Sequence, residues 1–83
     1  MPESLPTLDT IAEWLNEEYN AYLSTYVYDD HVRLTNGSAA YYVNISVNDD
    51  NSFTLNGERY GDEITKSCDA TREALITTLA QTI

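Results

Sequence analysis

Tyr41-Tyr42-Val43-Asn44-Ile45-Ser46-Val47-Asn48 is the stretch that decides the fold. Tyr41, Val43, Ile45 and Val47 occupy one set of alternate positions, and Tyr42, Asn44, Ser46 and Asn48 occupy the other. Successive side chains of a strand point to opposite faces, so this pattern predicts a β-strand with one face buried and the other open to water. Such a strand needs neighbours to pair with and an apolar layer to cover it.

Both are within reach along the chain. Upstream, the period becomes two from Tyr26, and Val32 and Leu34 alternate with His31 and Arg33, with Thr35-Asn36-Gly37-Ser38 as the turn into the next strand. Downstream, residues 49–52 supply a second turn, after which Phe53 and Leu55 alternate with Thr54. Asn56-Gly57 has the composition of a two-residue hairpin turn, which would return Glu58, Arg59 and Tyr60 as a short edge strand. The expectation is an antiparallel meander of three or four strands.

On the N-terminal side, Leu8, Ile11, Ala12, Leu15, Tyr19, Tyr22 and Leu23 recur at helical spacing, with Thr7, Asp9, or a capping box of Thr10 and Glu13 as alternative starts. On the C-terminal side, Ile64, Cys68, Thr71, Leu75, Leu79 and Ile83 predict a second helix, capped by Asp62 after Gly61 breaks the strand pattern. The expected fold is therefore α+β, a two-layer sandwich in the order α-β-β-β-(β)-α, with the two helices covering one face of the sheet. At 83 residues the chain holds one core, so a single compact domain is expected over residues 1–83. This order of elements resembles that of double-stranded RNA-binding domains. Those domains contact phosphates with basic side chains, whereas this chain has only Lys66 and Arg72 near its second helix, so the resemblance extends to topology and not to function.

Charge is the other strong signal. Fourteen Asp and Glu face four Lys and Arg and one His, a formal net charge of -10. Half of the carboxylates, Glu3, Asp9, Glu13, Glu17, Glu18, Asp29 and Asp30, fall in the first 30 residues, where there is no Lys or Arg. A field of this sign repels nucleic acids and anionic membranes and attracts basic proteins. A lone Cys68 precludes an internal disulfide and fits a reducing compartment. No apolar run suggests a leader or a span, so a cytoplasmic protein without membrane contact is expected.

The chemical inventory is short. His31 beside Asp29 and Asp30 is the one local cluster with metal or acid-base potential, but neighbouring strand positions point apart, and a solvated strand end is the plainer reading. Cys68 has no adjacent His to activate a thiolate and reads as a small buried hydrophobe. Residues 49–52 lack the ligand spacing of a calcium loop. No nucleophile elbow, phosphate loop, zinc set or dinucleotide fingerprint is present, so neither an enzyme nor a cofactor is expected.

The expectation is thus a small acidic protein-binding module. It would occupy the basic nucleic-acid-binding surface of a partner such as a nuclease or a CRISPR effector, without touching nucleic acid itself, and a homodimer is compatible with it. The residues expected to carry binding are Asp9, Glu13, Glu17, Glu18, Asp29 and Asp30 by charge, with Trp14 as an aromatic contact. The competing reading is an adaptor or subunit from a halophilic organism, whose acidity answers to salt and says nothing of a partner.

Overall fold

The computed structural model describes residues 6–19 and 22–82. In chain order the elements are α1 (Leu8–Tyr19), β1 (Ser24–Val27), β2 (Val32–Thr35), β3 (Tyr41–Asn48), β4 (Ser52–Arg59), β5 (Asp62–Asp69) and α2 (Arg72–Thr82). The strands form one antiparallel sheet in the order β1-β2-β3-β4-β5, a meander flanked by an N-terminal and a C-terminal helix. The architecture is the expected one, with a larger sheet: five strands instead of three or four.

The register follows from the alternation. Leu34, Val43, Gly57 and Ile64 form one row across β2 to β5, and Val32, Ile45, Leu55 and Lys66 form the next. These residues face the helices. There Val32, Ile45, Phe53, Leu55, Ile11, Leu15, Leu75 and Leu79 are all fully buried. Lys66 interrupts the apolar row only on the edge strand, where it is exposed and discourages pairing with another chain.

The stretch from Tyr26 to Leu34, expected as one strand, forms two, β1 and β2, and the C-terminal part of the sheet also differs from the expectation. Asn56 and Gly57 lie inside β4, paired with Asn44 and Val43 on one side and with Thr65 and Ile64 on the other. Glycine is required there for a close approach and not for a turn, because a Cβ at position 57 would lie 2.0 Å from the carbonyl oxygen of Tyr42. The true β4–β5 hairpin is formed by Tyr60 and Gly61, with φ of 50° and 98°; two consecutive positive values match the sense of twist that a two-residue hairpin needs. Glu58 and Arg59 therefore continue β4 and do not begin a new strand.

Residues 62–69 were expected to open the second helix and instead form β5. Ile64 and Cys68 are four apart, a spacing that places two residues on one side of a helix and equally on one side of a strand. Helix α2 starts only at Arg72, and its cap is Thr71, not Asp62: the Thr71 Oγ1 accepts a hydrogen bond from the Ala74 amide at 3.1 Å. At α1 the choice among caps resolves to Thr7, whose Oγ1 accepts from the Thr10 amide at 3.1 Å. That helix closes at Tyr19, whose carbonyl receives the amides of both Tyr22 and Leu23, so these two residues lie beyond the helix and do not extend its stripe. Ile83, also assigned to a helical face from the sequence, lies outside the described residues.

Candidate protein-binding surface

In a meander, alternate connections share an end of the sheet. The β1–β2 loop, the β3–β4 turn and the end of β5 are therefore neighbours at one end. The first carries Asp29 and Asp30, the second Asp49 and Asp50, and the third Asp69, all exposed. Asn51 takes φ of 67° to close the β3–β4 turn, and its carbonyl accepts the Ala70 amide at 3.1 Å, which ties the turn to the entry of α2.

Helix α1 points its start toward the same end. Trp14 meets Phe53 edge-on with ring centroids 6.5 Å apart, low on the sheet. Tyr19, one turn further on, shares a small apolar cleft with Leu23, Tyr41 and Ala80 at the opposite end. Asp9 and Glu13, both exposed, lie in the half of α1 nearer that end. Among the described residues the only nitrogen-bearing side chain paired with this set is His31, whose Nδ1 lies 2.6 Å from Asp30 Oδ1.

The seven residues expected to bind are distributed over two elements. Asp9 and Glu13 are exposed on α1, and Asp29 and Asp30 are exposed in the β1–β2 loop. Glu17 and Glu18 share Arg72, at 2.9 and 3.7 Å from its guanidinium, so their charge is partly answered within the molecule. Trp14 is half-buried and packs against the core, leaving only part of its ring for contact. Asp49, Asp50 and Asp69 were not assigned to the surface from the sequence. The signal for the first two was present, since the pairs 29–30 and 49–50 sit in connections two apart along a meander.

Elsewhere, burial shifts two titratable groups. Burial pushes the Cys68 thiol up, the neighbouring Asp69 charge adds to this, and a hydrogen bond with Thr78 acts in the other direction. A thiol held protonated in this way is a poor nucleophile at neutral pH. Burial also raises the Tyr19 phenol, with Glu18 and Tyr41 contributing. Among the described residues no group of three or more His, Cys, Asp or Glu side chains is placed to hold a metal ion, and no helix is long and apolar enough to cross a membrane. No protein-family model matches the chain, and neither a curated protein nor a solved structure matches it.

Proposed function

We propose that the protein binds a basic surface of another protein through its acidic end, occupying a site that would otherwise hold nucleic acid. The supporting observation is the placement of Asp29, Asp30, Asp49, Asp50 and Asp69, from three separate connections, at one end of the sheet, with little internal compensation. Carboxylates mounted on short, hydrogen-bonded connections present a pre-organised negative surface, which speeds encounter with a basic partner and sets its orientation. A nuclease or a CRISPR effector, with Lys and Arg arranged for phosphates, has the complementary chemistry, and in that setting the protein acts as an inhibitor without catalysis of its own.

The test is affinity capture from native lysate with the wild-type chain and with a variant carrying Asp29→Asn, Asp30→Asn, Asp49→Asn and Asp50→Asn. Retention of a basic nucleic-acid-handling protein by the wild type alone, weakening as ionic strength rises, is the expected result. The purified partner should then lose nucleic-acid binding on addition of the wild type. Equal retention by the variant would overturn the proposal. So would a chain that captures nothing by charge and folds only in molar salt, which leaves salt adaptation as the source of the acidity.

A further inference from the structure

The uncovered face of the sheet carries two charge features of opposite sign, one on either side of the Tyr42 ring. On the first side, the Arg33 guanidinium carbon lies 4.9 Å from the ring centroid of Tyr42 and 5.5 Å from that of Tyr28. Its Nε donates to Asn44 Oδ1 at 3.1 Å. The rings cover the flat surfaces of the guanidinium and Asn44 engages Nε, so the two Nη amines are the open donors, a fork suited to a carboxylate. Arg33 is half-buried and forms no ion pair among the described residues, in a chain with fourteen carboxylates. It opens into a shallow depression of about 440 Å³, lined also by Tyr26, Tyr28 and Tyr42.

On the second side, Glu58 and Glu63 stand directly opposite each other across β4 and β5. Like charges in that position repel, and no Lys or Arg among the described residues is paired with either. Together with Tyr42 and Thr65 they line a second depression, of about 400 Å³. Tyr42 belongs to both depressions and lies between charges that would otherwise suit each other.

We infer that this face binds an extended segment of a partner protein that carries an acidic residue and, four positions away, a Lys or Arg. The acidic side chain meets Arg33, the basic one meets Glu58 and Glu63, and the backbone crosses Tyr42. The spacing follows from the sheet: β2 is two strands from β4 and three from β5, or roughly 10–14 Å, which an extended chain covers in about four residues, the spacing that also returns the side chain to the same face. Neither a polyanion nor a wholly basic tail satisfies both ends. The face shares no residue with the acidic end, so the two proposals stand or fall separately.

The test is an NMR titration of isotope-labelled protein with a blocked pentapeptide, aspartate first and lysine fifth with three threonines between. The expected result is saturable, concerted movement of the Arg33 Nε–H signal and the Glu58 and Glu63 amides. Replacing the aspartate by asparagine, or the lysine by norleucine, should weaken binding about threefold to fivefold each, the scale of a single partly exposed ion pair. Because Arg33 also packs between two rings, the decisive protein variant is Glu63→Gln, at an exposed site. It should lose affinity for the full peptide and none for the norleucine peptide. Absence of saturation, or equal binding of acetate alone or of a peptide with adjacent charges, would overturn the inference and leave the Arg33 stack as packing only.

Discussion

The two faces of the sheet are built from the same strands and obey different physics. Toward the helices, Val32, Leu34, Val43, Ile45, Phe53 and Leu55 are removed from water almost completely. Away from the helices, the intervening residues are half-exposed and hold one another by hydrogen bonds and ring contacts, as where Asn48 Nδ2 donates to Thr54 Oγ1 at 2.8 Å. Burial of apolar area is non-directional and large, whereas each exposed hydrogen bond gains little over the one water would have made. The covered face accordingly supplies stability, and the open face is free to vary in chemistry.

The sharpest way to break this contrast lies within β4. Phe53→Ala removes a fully buried ring and should cost about 3–5 kcal/mol in urea denaturation, enough to leave a domain of this size marginal or unfolded. Thr54→Ala, one residue along on the open face, should cost no more than about 1 kcal/mol. Comparable losses at both positions would show that the polar face carries structure as well as surface.

Gly57→Ala tests the backbone that the two faces share. With 2.0 Å between the added Cβ and the Tyr42 carbonyl oxygen, β3 and β4 must part locally, at a cost of about 1–3 kcal/mol and with shifts at the Tyr42 amide. Wild-type stability would mean that the strand relaxes there without loss of pairing. In the covering layer, Thr71→Ala should cost about 1 kcal/mol through loss of the α2 cap. Asp62→Ala should leave α2 intact, since Asp62 belongs to β5.

The smallest expected effect concerns Cys68. Its raised thiol pKa means that the folded chain holds this proton more tightly than the unfolded one. The associated stability is therefore complete below the ordinary thiol pKa and fades as pH rises through the higher folded value. Iodoacetamide labelling of the folded protein should accordingly rise at a pH above that of the urea-unfolded chain. A matching profile would mean that the edge of the covered face is open to water at Cys68.

Much of this was legible in the chain because local periodicity and burial coincide. In residues 41–48 each position is paired with β4, and residues 42–45 with β2 as well, so the alternation of this central strand reports the faces directly. At β5 the same reasoning failed. An edge strand has a neighbour on one side only, and its residues 62–69 bury little beyond Ile64, so the apolar signal shrank to two positions that a helix explains equally well. The Asn56-Gly57 pair misled for a related reason: a glycine needed for close contact between strands is indistinguishable, in one dimension, from a glycine needed for a turn. For the acidic surface, residues close in sequence were recognised and residues close only in space were not.

By itself, then, the sequence determined the class of fold, the face of β3 that is buried and the sign of the molecular field, because these depend on patterns shorter than one element and on composition. Tertiary structure alone decided that Asp69 lies at the end of the sheet that carries Asp29, Asp30, Asp49 and Asp50, and that Glu17 and Glu18 share Arg72. It also decided that Arg33 lies between Tyr28 and Tyr42 while Glu58 faces Glu63. Those relations depend on strand order and register, which are fixed by how the whole chain buries its apolar face.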